Sequence, residues 1–385
     1  MRIMHISTRL ILGGSQENTI LSCEGQAEAG HEVALVFGPI YGPEGSLRDR
    51  AASSGGIELI ETPNLVREVS PIKDFCSFRD LKKLMQRWQP DVVHTHSSKA
   101  GIIGRAAAWK LSIPCVVHTI HGLPFHPYEK AWRNALYIAS ERWAAKRCHK
   151  IACVADAMKR QALANGIGKD EQFVTIYSGM DVESYVSPVK SHEEVREELH
   201  IDTDDFVVGT VSRLAEHKGH SDILEALGSE LVANPSMKLL WVGDGWLRKS
   251  LERRIEEIGI QDQIIFTGLV QPETIAHYIA AMDILVHPSY REGLPRTVVQ
   301  GLLGGKAVVA YDVDGTREVC IPDTTGYLVE VGDFASLRRA ILELQANQEK
   351  SRAMGIAGRK LCEEQFATSK MVQELDKLYS EVLVG

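Results

Sequence analysis

Short runs of apolar, β-branched residues alternate along the chain with longer amphipathic stretches, and this alternation most restricts the possible folds. The first half contains seven such runs: RIMHIS, EVALVF, IELI, DVVHTH, CVVHTI, KIACV and FVTIY. Runs of about four to eight such residues, bounded by turn residues, are typical of buried parallel strands. Helical stretches such as GRAAAWKL and MKRQALAN lie between most of them. The sequence therefore predicts a doubly wound parallel α/β sheet.

The alternation stops at a polar segment and then begins again. Residues 187–205 are charged and poor in strand formers, so they predict a linker with one short helix. Six further runs follow: FVVGTVSRL, KLLWVGDG, QIIFTGLV, DILVHPS, KAVVAYDV and GYLVEV. We predict two Rossmann-like domains, at 1–190 and 200–365, and a final helix at 366–385 that returns to the first domain. Two such sheets are expected to bind ligands in a cleft at the carboxyl ends of their strands.

Composition excludes several classes of protein. The net charge of −8 argues against a dedicated nucleic-acid binder, which is usually basic. No apolar run reaches the roughly 18 residues that span a bilayer. His5 and Arg9 interrupt the N-terminal apolar stretch, which therefore does not resemble a signal peptide. Seven scattered cysteines without a C-x-x-C pair indicate buried thiols in a reducing compartment, so we predict a cytoplasmic protein.

A glycine turn, Gly13-Gly14-Ser15, ends the first predicted strand. Glycines at this place allow backbone N–H groups to approach a ligand, and the N-terminus of the next helix favours negative charge. The segment GGSQEN does not satisfy the G-x-G-x-x-G pattern of dinucleotide-binding enzymes. The turn is therefore either a ligand contact or simply a tight connection.

Histidines are concentrated in the next part of the chain. The cluster consists of His94, His96, His118, His121 and His126. His94 and His96 lie two apart on a predicted strand, so their side chains share a face, as in a metal hydrolase or a packed core. His121 follows the strand CVVHTI directly, which places it at a carboxyl end of the sheet. It is either a ligand contact or a structural loop histidine.

Two loops of the second half carry charged residues at predicted strand ends. Arg213 and Lys218 follow the strand FVVGTV, where two cations suit a diphosphate or simply a solvated loop. Glu292 lies in a later loop, before Gly293, Leu294 and a proline at the predicted first position of a helix. The N–H groups of Gly293 and Leu294 are expected to be unpaired donors, and Glu292 also suits the positive end of the helix dipole.

Two aspartates one residue apart, Asp312 and Asp314, resemble a D-x-D metal motif. Gly315 follows them, and aspartate followed by glycine is also common in turns. We expect a turn at this place and no metal site.

These segments together carry a resemblance. DVVHTHSSKAGIIGR, VVHTIHG, IYSGMD, GTVSRLAEHKG, WVGDG, FTGLV and SYREGLPRTVVQGLLGGKAVVA occur in the order found in family 4 glycosyltransferases. The chain resembles bacterial group 1 members of this family, which act in polysaccharide or glycolipid synthesis and have the two-domain GT-B fold. The match covers nearly the whole length.

The resemblance implies roles for particular residues. His121 matches a histidine of the cleft close to the donor sugar, and Gly14 matches the glycine turn near donor and acceptor. Arg213 and Lys218 match the pair that holds the diphosphate. Glu292 matches the first carboxylate of an E-x7-E motif near the donor sugar. The implied catalytic residues are His121, Arg213, Lys218 and Glu292.

The remaining implied donor contacts include one departure from the family pattern. Gly293 and Leu294 match backbone contacts to the donor. The second glutamate of the motif, which holds the ribose hydroxyls, is replaced by Gln300. An amide still accepts a hydrogen bond, but it lacks the charge that strengthens such a bond, at a cost of about 1 kcal/mol.

The implied activity is transfer of a hexose from a nucleotide-diphosphate sugar, with UDP expected, to a glycan, lipid-linked or small-molecule acceptor. The resemblance implies retention of configuration, and neither a metal nor a cofactor is expected. Three alternatives stay open: an epimerase or phosphorylase on a similar double sheet, a non-catalytic nucleotide-sugar-binding homologue, and a metal hydrolase that uses the histidines.

A helical stretch at 129–150 combines aromatic and basic residues. Its apolar residues at helical spacing are Trp132, Leu136, Ala139 and Trp143. The cations beside them are Arg133, Arg142, Lys146, Arg147 and Lys150. This pattern suits a helix that lies on the anionic inner face of a membrane, and it equally suits a helix whose stripe packs on the sheet.

Overall fold

The computed structural model describes residues 1–40 and 45–385, which form two units. Unit 1 consists of Met1–Met180 and Thr368–Gly385, and unit 2 is Asp181–Ala367. All thirteen predicted strands are present, and every pairing between them is parallel. The predicted class, two Rossmann-like doubly wound domains, is therefore confirmed.

Unit 1 contains a seven-stranded sheet in the order β3-β2-β1-β4-β5-β6-β7. Its strands are β1 (Arg2–Ser7), β2 (Glu32–Phe37), β3 (Ile57–Glu61), β4 (Val92–His96), β5 (Cys115–Ile120), β6 (Lys150–Cys153) and β7 (Phe173–Thr175). The helices before residue 180 are α1 (Gly14–Glu28), α2 (Arg48–Ser53), α3 (Pro71–Trp88), α4 (Ser98–Lys110), α5 (Ala131–Ala145) and α6 (Asp156–Ala164). Both β4 and β5 are buried over their whole length, as expected for central strands covered on both faces.

Unit 2 contains a six-stranded sheet in the order β10-β9-β8-β11-β12-β13. Its strands are β8 (Phe206–Val211), β9 (Met237–Val242), β10 (Ile264–Gly268), β11 (Ile284–His287), β12 (Ala307–Tyr311) and β13 (Gly326–Val329). Its helices are α7 (Val182–Val186), α8 (His192–Glu198), α9 (His220–Ala233), α10 (Arg248–Ile258), α11 (Ile275–Ala280), α12 (Arg296–Leu303), α13 (Phe334–Ala346) and α14 (Gln348–Gln365).

The final helix, α15 (Thr368–Val384), completes the core of unit 1. Its buried side chains Met371, Leu375, Leu378 and Tyr379 pack in one cluster with core residues of β1, β4 and β5. Unit 2 begins at Asp181, nine residues before the end of the predicted first domain, because α7 packs against α11 and α12. The predicted linker contains the one short helix expected of it, α8.

The predicted helix at 129–150 is shorter than expected. Helix α5 ends at Ala145, and Lys150 begins strand β6. The chain leaves the helix because β6 must extend to pair with β5, beginning with Lys150 beside Val117. No helix among the described residues has both the length and the apolar character that crossing a membrane requires.

A buried ion pair joins α4 to α5. The Arg105 side chain is fully buried, and one of its guanidinium nitrogens lies 2.7 Å from a carboxylate oxygen of Glu141. Nε of Arg105 also donates to the carbonyl oxygen of Gly101. Two charges removed from water in this way depend on each other, because either one alone would be a buried uncompensated charge.

We expect Glu141→Ala to lower the free energy of unfolding by about 3–5 kcal/mol, since it leaves the Arg105 charge buried without its partner. Urea titration followed by circular dichroism measures this loss. Glu129→Ala is the matched control, because Glu129 pairs with Arg133 3.5 Å away at the solvent-exposed start of α5 and should contribute little. Equal effects of the two substitutions would contradict the structural importance of the buried pair.

Candidate active site

The strand order of each sheet reverses at one point, and open α/β sheets bind ligands at such points. In unit 2 the order reverses between β8 and β11, and in unit 1 between β1 and β4. The loops after β8 and β11 carry Arg213, Lys218 and Glu292. The loops after β1 and β5 carry Gly14 and His121. Six of the eight predicted site residues therefore belong to unit 2 and two to unit 1.

The loop after β8 is held close to the loop after β11 by its backbone. Gly219 adopts a left-handed φ of 72°, and a Cβ at this position would lie 2.1 Å from the carbonyl oxygen of Pro288. The N–H of Tyr290 donates to the carbonyl oxygen of His217 at 2.9 Å. Only glycine permits this approach, which brings the side chain of Lys218 to the residues that follow β11.

Lys218, Glu292 and His287 form one charged cluster. Nζ of Lys218 lies 2.6 Å from Oε1 of Glu292, and Nε2 of His287 lies 3.0 Å from the same oxygen. Burial of Glu292 raises its pKa, but the Lys218 charge and the hydrogen bonds from His287 and Lys218 outweigh burial and hold that pKa well below its usual value. Glu292 is therefore an ionised carboxylate at the carboxyl edge of the sheet.

The backbone around Glu292 is fixed by the loop after β12. The N–H of Glu292 donates to Oδ2 of Asp314 at 2.8 Å, and the N–H of Gly315 donates to the carbonyl oxygen of Gly293 at 3.2 Å. Neither the N–H of Gly293 nor that of Leu294 is hydrogen-bonded within residues 1–40 and 45–385. Two backbone donors beside a lysine make this loop suited to an anionic or hydroxyl-rich ligand.

The D-x-D segment serves the structure of the loop. Oδ2 of Asp312 accepts from Arg317, and Asp314 accepts from the backbone of Glu292. In the described part of the chain, the only group of three metal-ligating side chains within reach of one ion is His5, His94 and His96. The N–H of Thr316 donates to the carbonyl oxygen of Val313 at 2.9 Å, so the expected turn lies at residues 313–316.

The helix after Glu292 begins one residue later than predicted. Pro295 is the N-cap of α12 and not its first residue, because its ψ of 93° is extended. Gln300 lies on this helix, is buried, and makes no side-chain hydrogen bond to the described residues. Arg213 is exposed and likewise has no hydrogen-bonding partner there.

His121 lies directly after β5 and is half-buried. Its Nε2 is 3.0 Å from Nδ1 of His96, so it is linked to the histidines inside the sheet. Gly14 is exposed and is the first residue of α1. It lies at the carboxyl edge of the unit 1 sheet, as the sequence predicted.

Three residues near the predicted site residues were not predicted from the sequence: His287, Asp314 and His5. The signal for His287 was present, because it is the last residue of a strand that leads into the glutamate loop. Asp314 was considered only as a metal ligand, and its bond to the backbone of Glu292 has no sequence signature. His5 lies 91 residues from His96, so only the pairing of β1 with β4 reveals their contact.

Comparison with known proteins gives two family matches. The family described as Glycosyltransferase Family 4 matches residues 12–184, and the family described as Glycosyl transferases group 1 matches residues 191–361. Together these two matches cover most of the chain, one in each half.

Individual proteins give the same result. A UDP-Gal:alpha-D-GlcNAc-diphosphoundecaprenol alpha-1,3-galactosyltransferase of Escherichia coli is 26% identical over 388 residues, covering 100% of this chain and 98% of that protein. The capsular polysaccharide biosynthesis glycosyltransferase CapM of Staphylococcus aureus is 25% identical and covers 86% of this chain and 89% of that protein. Among solved structures, Anabaena Alr3699/HepE in complex with UDP-glucose superposes with a TM-score of 0.84 at 20% identity, covering 99% of this chain and 100% of that one.

Two parallel-sheet domains, each with charged or histidine side chains at the carboxyl ends of its strands, define a GT-B type α/β protein. The family matches make the identification specific. The chain belongs to the group 1, family 4 glycosyltransferases.

Replacing Lys218 with methionine should raise the pKa of Glu292 by about one to three pH units. Burial raises this pKa, and without the Lys218 charge only His287 remains to oppose it. The lowered pKa of Glu292 stabilises the wild-type fold above the ordinary pKa of glutamate, and this contribution is lost as the pH falls. The variant should therefore be less stable than the wild type near neutral pH, and the difference should shrink in acid. Carbon-13 NMR of glutamate side-chain carboxyls measures the pKa, with Glu292→Gln to assign the signal.

Lys190→Met is the control for this experiment. Nζ of Lys190 contacts the carboxylate of Glu198 at 2.7 and 2.8 Å on the exposed surface of the same unit, so its removal should leave Glu292 unchanged. An unchanged Glu292 pKa in Lys218→Met would show that Lys218 does not hold the carboxylate ionised.

Proposed function

We propose that the chain transfers a hexose from a UDP-linked sugar to an acceptor with retention of configuration. The observation that carries this proposal is the set of charged and hydrogen-bonding groups on the loops at the strand reversal of unit 2. Lys218 and Arg213 offer positive charge, and the N–H groups of Gly293 and Leu294 offer two donors. Glu292 offers an ionised acceptor for sugar hydroxyls.

These residues suit transfer from a diphosphate because of their charge. When the bond to the anomeric carbon breaks, negative charge develops on the leaving nucleoside diphosphate. Preorganised positive charge at that point stabilises the transition state more than the ground state. Arg213 lies exposed, so its guanidinium is available to bind two phosphate oxygens at once.

The absence of a metal requirement is part of the proposal. Arg213 and Lys218 supply the charge that a divalent cation would otherwise bring to the diphosphate. Asp312 and Asp314 form a D-x-D pair, and their carboxylates are occupied by Arg317 and by the backbone of Glu292. Retention rests on the family resemblance alone.

The donor is proposed to be a UDP-sugar from two kinds of likeness. The name of the Escherichia coli relative specifies UDP-Gal as its donor, and Anabaena Alr3699/HepE was solved with UDP and with UDP-glucose. In this chain, Gln300 is the proposed contact to the ribose hydroxyls. Its buried place on α12 leaves its amide without a hydrogen bond from the described residues.

We further propose a lipid-linked acceptor, reached from an anionic membrane surface. The name of the Escherichia coli relative specifies an acceptor on diphosphoundecaprenol. In this chain, Trp132, Leu136 and Trp143 of α5 are 62%, 55% and 44% exposed, so the apolar stripe does not pack on the sheet. Their spacing places them on one face of the helix, with Ala139.

Cations accompany the exposed stripe. The guanidinium of Arg133 lies over the ring of Trp132 at 5.3 Å, and that of Arg147 lies over the ring of Trp143 at 3.7 Å. Lys146 is exposed beside them. Aromatic and basic side chains at one surface are what a helix at the interface of an anionic membrane requires.

Arg213→Ala and Lys218→Ala should each lower kcat by about a hundredfold to a thousandfold, since loss of one preorganised charge costs about 2.7–4 kcal/mol. Transfer is measured by mass spectrometry of products from a panel of UDP- and GDP-sugars with lipid-linked, glycan and aminocyclitol acceptors. The wild-type reaction should continue in the presence of a chelator.

Arg253→Ala is the matched control for Arg213→Ala. Arg253 is an exposed arginine of α10 in the same unit and has no hydrogen bond to the described residues.

In calorimetry with UDP, Arg213→Ala should bind more weakly, while Gln300→Glu should bind up to about tenfold more tightly. Nucleotide-sugar binding without transfer to any acceptor would favour a non-catalytic homologue. Formation of a new product from the nucleotide-sugar in the absence of any acceptor would favour an epimerase.

The variant Trp132→Ala/Leu136→Ala/Trp143→Ala should lose co-sedimentation with phosphatidylglycerol vesicles, because it removes the apolar contact with the bilayer. The variant Lys146→Ala/Arg147→Ala should weaken it most at low salt, where each cation contributes about 1 kcal/mol. The matched control replaces three exposed residues of α14 spaced four apart. These are Arg352, Ile356 and Lys360.

Wild-type protein and the α14 control should bind anionic vesicles alike and should not bind phosphatidylcholine vesicles. Equal binding to both lipids, or binding to neither, would remove the membrane proposal. It would leave the donor assignment in unit 2 unaffected.

A further inference from the structure

A chain of hydrogen bonds runs through the interior of unit 1 to His121. Oε1 of Gln26 on α1 lies 2.7 Å from Nε2 of His5, and Nδ1 of His5 lies 2.9 Å from Nε2 of His96. Nδ1 of His96 then lies 3.0 Å from Nε2 of His121. Gln26, His5 and His96 are all buried, and they connect a helix, two strands and the loop after a third strand.

Each link in this chain holds one proton, so the positions of the protons depend on one another. A neutral imidazole carries a proton on one nitrogen and accepts with the other. The oxygen of Gln26 only accepts, so Nε2 of His5 must carry the proton. His5 then accepts from Nε2 of His96, and His96 accepts from Nε2 of His121.

The opposite arrangement requires a different orientation of one side chain. If the Gln26 amide were reversed, its nitrogen would donate to His5, and every proton of the chain would move to Nδ1. In the structure, the amide nitrogen instead faces the hydroxyl of Tyr379 on α15 at 3.4 Å. The Tyr379 hydroxyl lies 2.5 Å from Nδ1 of His94, whose Nε2 lies 2.7 Å from the hydroxyl of Thr119.

Burial keeps the interior members of the chain neutral. Desolvation lowers the pKa of His5 to about 4, and the hydrogen bond with Gln26 opposes this only in part. Desolvation, together with the neighbouring histidines, lowers the pKa of His96 and of His94 well below the usual value. Near neutral pH these rings therefore carry one proton each, as the hydrogen-bond pattern requires.

We propose that Gln26, His5 and His96 are positioning residues that hold the proton of His121 on Nε2, so that Nδ1 accepts a hydrogen bond from a hydroxyl of the substrate. This inference rests on the proposed function for the identity of that hydroxyl, which would belong to the donor sugar. The hydrogen bonds that join Gln26, His5, His96 and His121 all lie within unit 1, so their effect on the His121 tautomer can be measured without substrate.

A buried metal ion is the competing explanation for the same histidines. The nearest ring nitrogens of His5, His94 and His96 all lie within 4.8 Å of one another. A metal would need a lone pair from each ring, whereas the hydrogen bond between Nδ1 of His5 and Nε2 of His96 needs a proton on one of these two nitrogens. The two explanations differ in whether a proton or an ion lies at this point.

Nitrogen-15 NMR of protein labelled at histidine distinguishes the two tautomers of a neutral imidazole directly. In the wild-type protein without substrate, His121 should be the Nε2–H tautomer, with its signals assigned through His121→Gln. In Gln26→Met, which removes the amide at similar volume, His121 should become a mixture of both tautomers. His96→Phe keeps a planar ring and should have the same effect on His121 by removing its acceptor.

Gln263→Met is the matched control, because Gln263 is a buried glutamine of unit 2 whose amide donates to two backbone carbonyls at 3.0 and 2.9 Å. It should leave the His121 tautomer unchanged. With an active nucleotide-sugar, Gln26→Met should lower kcat about fivefold, the effect of one hydrogen bond. Its affinity for UDP, which lacks the hexose that is transferred, should match that of the wild type.

A wild-type His121 in the Nδ1–H form, or an unchanged tautomer in both Gln26→Met and His96→Phe, would overturn the relay. Stoichiometric zinc binding that removes the signals of His5 and His96 would also overturn it. Absence of sugar transfer by the wild type would overturn the proposed function instead. The tautomer measurements, made without substrate, would still support the relay.

Discussion

Parallel pairing of the strands is the constraint on which the rest of this structure depends. Parallel strands all end at one edge of their sheet, so the loops that follow them are brought together however far apart they lie in sequence. In unit 2 this places Lys218 beside Glu292, 74 residues later, and in unit 1 it places His5 beside His96. The backbone hydrogen bonds of the sheets hold both groups of side chains.

The pattern of buried strands could be predicted because both faces of each sheet are covered. Every apolar run became a strand, and the loops with Arg213, Lys218, Glu292 and His121 lie at strand ends as expected. Helix ends were less certain. The stretch from Lys146 to Lys150 continues the helical composition of α5, yet it leaves the helix to pair β6 with β5.

Other features could not be deduced from the sequence, for identifiable physical reasons. Spacing shows that Trp132, Leu136 and Trp143 share a face but not whether that face meets a sheet or solvent, and here it is exposed. The spacing of His94 and His96 suited a metal pair equally well. Their hydrogen bonds to Tyr379 and to His5 and His121 depend on elements from both ends of the chain.

Helix α15 has a consequence for how the protein is made. The ribosome delivers all seven strands of unit 1 before residue 180, but the core they enclose lacks Met371, Leu375 and Tyr379 until the last helix emerges. At about 5–20 residues per second, synthesis of the intervening unit takes on the order of ten seconds or more. During that interval, nascent unit 1 exposes the apolar surface that α15 later covers. The Tyr379 hydroxyl that faces Gln26 is also not yet present. Unit 1 therefore cannot complete its core until residues 368–385 have been synthesised, and its exposed apolar surface is accessible to chaperones until then.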